Sequence, residues 1–454
     1  MNPATAVFFG IAFAVSWLLG YFLTVLLWPS AVSRRFVWAF APGVGAGMCS
    51  LIFFVFRRPM FTLEFALLIF LFALWFFRRQ TDSAESRPPG SWRVPILFLA
   101  LAGAIGLCVA GLMLRMERVP HGYHDGWAIW NAHARLLYRD GQNWRDGILY
   151  TFHPDYPLLT PSLTARFWRY AGQEAPEAGA LVGIMFAFSG VAVLLLTLSY
   201  LRDATIAVLM ALVLLSTPNY LEHSTSQYAD VPLSFFSLST IALMCLYSAS
   251  KTEERGLLVL AGFTAGCAGW TKNEGLVLIL AACAALLTPV FWRSPASLRR
   301  FAAFSEGLLV PLAVIIFFKI TVAPQNDLMQ GRSSQELFQK IFDLSRHVTI
   351  FKSFADTFWS FGVWTARPIV PLFAFIGLRG ADRGAMRSFG WLTSVVILGV
   401  VMAAYYFVYL VTPIELQLHL VSSLDRLLIH IWPSFLLVLG LTAKASAHPQ
   451  STLQ

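Results

Sequence analysis

The sequence predicts an all-α polytopic integral membrane protein, and three observations predict it. Hydrophobic residues make up 57% of the chain and charged ones only 13%, with a mean hydropathy of +0.66, far outside the range of water-soluble domains. The apolar residues fall into runs near the ~20 residues a helix needs to cross a bilayer, separated by short polar connectors. Arginines gather in alternate connectors, the bias that marks cytoplasmic loops beside anionic lipid. That placement accounts for the formal net charge of +9 with membrane lipids as neighbours and no nucleic acid as partner. Cys49, Cys108, Cys245, Cys267 and Cys283 lie in apolar runs with no CxxC pair, so neither a disulfide framework nor a zinc site is expected.

In chain order, residues 6–28 lack the basic leader of a cleaved signal peptide and read as an uncleaved first span. Further apolar runs follow at 36–56, 60–77, 95–114, 178–200, 204–216, 231–248, 256–270, 275–291, 306–321, 354–378, 391–411 and 427–441, about thirteen candidate helices in all. No internal repeat or composition shift divides them, so residues 1–454 read as one transmembrane domain. The Ser-, Pro- and Gly-containing stretch 80–93 reads as a short flexible cytoplasmic connector. Two polar intervals, 115–177 and 322–353, are the expected extracytoplasmic loops, the second partly helical and covering the site. With 115–177 outside, the inner connectors carry Arg34/Arg35, Arg78/Arg79, Arg202, Arg299/Arg300 and Arg379. The short outer ones carry Arg57/Arg58, Lys272 and Arg426, which puts the N-terminus outside and the C-terminus in the cytoplasm.

The chain is organised around residues 121–163, where His121, His124, His133, His153, Asp125, Asp140, Asp146 and Asp155 concentrate between spans. After Asp125, a 100° projection puts Trp127, Ile129, Trp130, Ala134 and Leu137 on one arc and Asn131, Arg135 and Arg139 on the other, an interfacial helix with its polar stripe in water. Asp140-Gly141 ends it, and His153-Pro154-Asp155-Tyr156-Pro157 forms a stiff extended turn. Asp125 also suits an N-cap. Three further polar clusters, 219–230, 271–274 and 415–426, fall on the same face by alternation. Charges at the ends of apolar runs, converging on one membrane face, suit a site at the water boundary. A transporter more often places them mid-span, where Glu64, Lys319 and Arg367 are the few candidates.

These residues resemble the polyprenyl-phosphate-sugar-dependent glycosyltransferases of the GT-C type, which include the aminoarabinose transferases of lipid A and the protein O-mannosyltransferases. Asp125 before an interfacial helix, Asp140-Gly141 then Trp144, and the His-Pro-x-x-Pro-Leu-Leu turn from His153 look like the family's first outer loop, with His153 standing where a Lys is common. Tyr228-Ala229-Asp230-Val231-Pro232-Leu233, Trp270-Thr271-Lys272-Asn273-Glu274-Gly275, and Arg426 with Pro433 resemble its later motifs in the same order. The match is good over residues 123–279 and elsewhere rests on hydropathy alone.

The resemblance implies transfer of a sugar from a polyprenyl-phosphate donor to an acceptor hydroxyl on a lipid, glycan or protein. The site would face the periplasm from a bacterial inner membrane. A polyprenyl phosphate leaves without being protonated, so one general base and a cationic clamp suffice. Asp125 is the expected base; Lys272, Arg426 and Arg135 are the expected phosphate-binding cations. His153, Asp230, Tyr123, Glu274 and Tyr156 are expected to line the site, and a single displacement predicts inversion at the anomeric carbon. Lys272 has a second reading as a partner of Glu274, and Arg426 as a span-end anchor beside Asp425. The loop histidines and Asp125 are metal-ligand types, but their spacing matches no HExxH-like motif, so no cofactor is expected and a divalent metal is the alternative. The rival functions are a transporter or flippase for a lipid-linked or polar solute, and a ligase of lipid-linked glycans.

Overall fold

The structure, a computed structural model, describes residues 2–29, 32–79, 95–139, 143–250, 254–287, 295–324, 334–362 and 369–445. The connector 80–93, Asp140-Gly141 and Arg367 lie outside them. Among the described residues all regular secondary structure is helical apart from one isolated bridge between Ala381 and Ala443. Nine of these helices are long and apolar enough to cross a bilayer: α1 (Pro3–Leu27), α2 (Arg35–Val55), α3 (Met60–Arg79), α4 (Pro95–Arg118), α8 (Glu177–Leu201), α11 (Asp230–Ala249), α14 (Pro295–Thr321), α18 (Phe389–Val411) and α19 (Leu416–Thr442). Shorter elements join them: α5 (Asn131–Arg139), α6 (Trp144–Ile148), α7 (Leu159–Ala171), α9 (Ala204–Leu215), α10 (Pro218–Thr225), α12 (Arg255–Thr271), α13 (Asn273–Leu287), α15 (Ser334–Phe342), α16 (Leu344–Trp359) and α17 (Ile369–Arg379).

Against about thirteen expected spans, nine helices reach full crossing length among the described residues, and shorter apolar helices lie beside them. Within the described residues the runs at 204–216, 256–270 and 275–291 form helices of 12, 17 and 15 residues, at or below the short end of the ~17–25 residues a crossing takes. Helix α9 turns by 61° into α10, where Pro218 starts a new helix; counted as one bent span, the pair makes ten among the described residues. The run 354–378 is two helices, not one. Helix α16 ends at Trp359, followed by Gly362 at φ 91°, a conformation that favours glycine.

Two features tie the bundle together. Helices α12 and α14 cross at backbone distance, because a Cβ on Gly262 would lie 1.8 Å from the Phe304 carbonyl oxygen, and one on Gly307 1.8 Å from that of Val259. Small residues at such crossings are how membrane helices gain packing contact where lipid offers no hydrophobic drive. The second is ionic. Arg166 of α7 and Glu64 of α3 are both fully buried, and the guanidinium meets the carboxylate two-fold at 2.6 and 2.9 Å. Its remaining donors reach the Ala12 carbonyl and the Ser16 hydroxyl of α1, and the Tyr170 hydroxyl completes the carboxylate's shell at 2.6 Å. Of the mid-span ionisable candidates, Glu64 thus binds the loop helix α7 to α1 and α3, with its charge fully met.

The loop after α4 departs from the expected helix in one informative way. Residues Gly126–Trp130 form a π-helical turn before α5. That wider turn shifts the phase of everything before it relative to a 100° projection. Trp130, Ala134 and Leu137 are buried as expected, while Trp127 is exposed and Asn131, assigned to the watery stripe, is buried. Asn131 turns inward because its Nδ2 donates to Gln227 Oε1 at 2.6 Å.

Candidate active site

Segments far apart in the chain meet at one end of the bundle. Asp125 lies between α4 and the π turn, and its side chain caps no backbone N–H. Instead Oδ2 accepts from Arg426 Nη1 at 2.6 Å. The approach is made possible by two glycines: a Cβ on Gly122 (φ 71°) or on Gly126 would lie 2.4 or 2.5 Å from the Ser226 carbonyl oxygen. The loop backbone therefore lies directly against the α10–α11 corner. Gln227, in the left-handed region at φ 63°, locks that corner. Its Nε2 donates to the carbonyls of Pro120 and Pro176, and its Oε1 accepts from Asn131.

Asp230, in the first turn of α11, is the hub. Its fully buried carboxylate accepts from Arg426 Nε at 3.1 Å, Lys272 Nζ at 2.9 Å and His430 Nε2 at 2.7 Å. Burying a carboxylate is costly unless it is paired and hydrogen-bonded, and here two cations and the His430 N–H surround it. With His430 Nε2 donating, its Nδ1 accepts from the Tyr405 hydroxyl at 3.1 Å. Lys272 sits in the turn between α12 and α13 and also meets Glu274 Oε1 at 3.0 Å. Arg426 lies over the ring of Tyr228, 4.6 Å from its centroid. Both alternative readings of these cations are thus part of one network: Lys272 pairs with Glu274 and with Asp230. The Asp425 carboxylate takes the Arg426 backbone N–H at 2.8 Å, leaving the guanidinium to the site.

A second knot joins the His153–Tyr156 turn to the same place. Asn273 Nδ2 donates to Asp155 Oδ2 at 2.7 Å, and Lys319, in the last turn of α14, donates to the Asp155 carbonyl and to Asn273 Oδ1 at 2.6 and 2.7 Å. His153, at φ 50°, stacks on Tyr156 with centroids 4.6 Å apart, and Tyr156 stacks on Trp130 at 5.6 Å. Trp130 Nε1 and Glu274 Oε2 are buried without a hydrogen-bond partner among the described residues. Such orphans are uncommon in folded proteins.

Electrostatics follow the geometry. Burial of the Asp125 carboxyl acts to raise its pKa, but the charge and hydrogen bond of Arg426, with a hydrogen bond from His124, outweigh it and hold the group below the usual carboxylate range. Burial of the His133 ring, then the nearby His153, depresses His133 to about 4.

Residues 155–319 match the family described as dolichyl-phosphate-mannose-protein mannosyltransferase. That match spans about a third of the chain. Among solved structures, the crystal structure of ArnT from Cupriavidus metallidurans in the apo state is 15% identical, with a TM-score of 0.44. The likeness covers 75% of this chain and 59% of the ArnT chain, so the chain spans under two thirds of that protein's length. No curated protein matches the chain.

The matched stretch contains Asp155, Tyr156, Asp230, Lys272, Glu274 and Lys319, while Asp125 and Arg426 reach it from outside. Of the residues expected from the sequence, Asp125, Arg426, Lys272, Asp230 and Glu274 form one network, and His153 and Tyr156 flank it. Arg135 is not in it: it faces Glu174 at 3.4 Å, which Arg139 also holds. Tyr123 lies two residues from Asp125, and its hydroxyl accepts from Arg115, which also pairs with Glu222 at 2.5 Å. His430 was missed because a lone histidine in an apolar run reads as core. Its signal was the spacing, since residues four apart share a helix face and His430 is four after Arg426. Among the described residues no three His, Cys, Asp or Glu side chains converge as a metal site.

Proposed function

We propose that this protein is a membrane glycosyltransferase that moves a sugar from a polyprenyl-phosphate donor to an acceptor hydroxyl, with the site on the extracytoplasmic face of a bacterial inner membrane. One observation carries the proposal: Arg426 bridges Asp125 and Asp230 at 2.6 and 3.1 Å, with Lys272 on the same Asp230. A carboxylate and two cations from remote segments share one end of the bundle, the minimum for a base and a clamp on an anionic leaving group.

In this mechanism the donor's anomeric carbon enters between Asp125 and Arg426. Asp125 takes the proton from the acceptor hydroxyl as the new C–O bond forms. The bond from the anomeric carbon to the phosphate oxygen breaks, and its electron pair leaves with the polyprenyl phosphate. The donor phosphodiester carries one negative charge and the departing monoester approaches two, so Arg426 and Lys272 act most strongly as charge develops. Loss of its guanidinium partner lets Asp125 rise from its depressed pKa, making it a better base as substrate arrives. The Trp130–Tyr156–His153 stack, with Trp130 Nε1 and Glu274 Oε2, offers a flat face and two polar atoms to a sugar ring.

The test is transfer by purified protein from a panel of radiolabelled polyprenyl-phosphate sugars, comparing wild type with Asp125→Asn. Inverted product from wild type, and a loss of about 10²–10⁴-fold in the variant, are expected. Full activity in Asp125→Asn removes the base assignment; no transfer from any donor favours a transporter.

A further inference from the structure

We infer that Lys319 is a donor-phosphate-binding residue, and the one whose charge an arriving phosphate meets first. This rests on the lipid-phosphate donor proposed above. Among the described residues, four carboxyl groups, Asp125, Asp155, Asp230 and Glu274, stand among three cations, Lys272, Lys319 and Arg426. The site as a whole is therefore no cationic pocket, and where an anion settles is decided by local competition.

The three cations differ in what an anion must displace. Arg426 is held by carboxylate oxygens at 2.6 and 3.1 Å, and Lys272 by carboxylate oxygens at 2.9 and 3.0 Å. Lys319 instead spends its hydrogen bonds on neutral acceptors, the Asp155 carbonyl and the Asn273 amide oxygen, while its ion-pair partner Asp155 Oδ2 is 3.9 Å away. That carboxylate oxygen is itself occupied by Asn273 Nδ2. A carboxylate holds a cation by Coulomb attraction as well as by the hydrogen bond, whereas a neutral carbonyl or amide oxygen offers no opposite charge, so a phosphate displaces least at Lys319. Access agrees, since the Lys319 side chain is 27% exposed against 5% for Lys272. Position agrees too. Displacement in line puts the leaving phosphate on the far side of the anomeric carbon from the base. Lys319 reaches the site through Asn273, the neighbour of Lys272, and among the described residues makes no contact with Asp125.

The experiment is binding of geranyl phosphate and of geraniol to detergent-solubilised full-length protein, followed by intrinsic tryptophan fluorescence, for wild type, Lys319→Gln, Lys319→Arg and Asn273→Ala. Gln keeps a donor for the Asp155 carbonyl and removes the charge. Lys319→Gln is expected to weaken geranyl phosphate by about 10-fold or more and leave geraniol unchanged, with Arg restoring phosphate binding and Asn273→Ala losing far less. Equal phosphate affinity in Lys319→Gln and wild type overturns the role of Lys319 while the donor proposal stands. An equal loss in Asn273→Ala, or a parallel loss for geraniol, makes Lys319 a brace for the turn and overturns it as well. Wild type binding geranyl phosphate no better than geraniol removes the phosphate donor itself, and the Lys319 role with it.

Discussion

A single arginine carries the most consequence in this site. Arg426 holds two carboxylates through two different nitrogens, a planar fork that a lysine ammonium does not reproduce. Arg426→Lys is therefore expected to lose about 10²-fold or more in transfer rate, with a melting temperature near wild type; wild-type turnover would remove the fork from the mechanism. The same pair sets an acid limb. Because the Asp125 pKa lies below the ordinary carboxylate range, its ion pair with Arg426 is fully present above that range and is lost only as pH falls through the depressed value. His133 behaves in the corresponding way at higher pH. Its folded pKa of about 4 against an ordinary 6.5 means that the unfolded chain takes up a proton first, so stability is full above 6.5 and declines as pH falls towards 4. Between pH 7.5 and 5 the loss is about 2 kcal/mol, read as a drop in melting temperature that His133→Gln abolishes.

Among the elements, the pairing of α7 with α3 is the most exposed to substitution. Removing one partner of a fully buried pair strands the other, so Arg166→Met is expected to cost about 3–5 kcal/mol, whereas the double change with Glu64→Met recovers most of it. Thermal unfolding in detergent checks both, and a double variant as weak as the single one would show that the hydrogen bonds to Ala12 and Ser16 matter more than charge. At this scale the sequence was legible where polar residues punctuate apolar runs, as at Asp230, Lys272 and Arg426. It was less decisive where length alone separates a span from a shorter helix, as in α9, α12 and α13, and it misled where a π turn broke the helical period ahead of Asn131. Lys319 was read as a mid-span charge, although the end of its apolar run at 321 places it one turn from the same boundary as the site.

For the molecule as a whole, hydropathy gave the all-helical membrane class, because that class depends on composition that no tertiary contact overrides. The meeting of Asp125 with Arg426, 301 residues apart, depends on how the helices pack, and alternation could only place both at the same face. That face is open to a direct check. Tyr150 is 92% exposed near the site and Lys444 is exposed just beyond the last helix. In intact cells, Tyr150→Cys is expected to react with a membrane-impermeant maleimide and Lys444→Cys only after permeabilisation; the reverse pattern would turn the protein over and move the site to the cytoplasm.

The Arg166–Glu64 pair also bears on biosynthesis. A ribosome delivers α3 about a hundred residues before α7 exists, so for that interval the nascent third helix holds an acid whose cation has not been made. A lone carboxylate in hydrocarbon costs several kcal/mol. The early helices are thus expected to linger beside the insertion machinery, or to carry Glu64 protonated, until translation supplies Arg166.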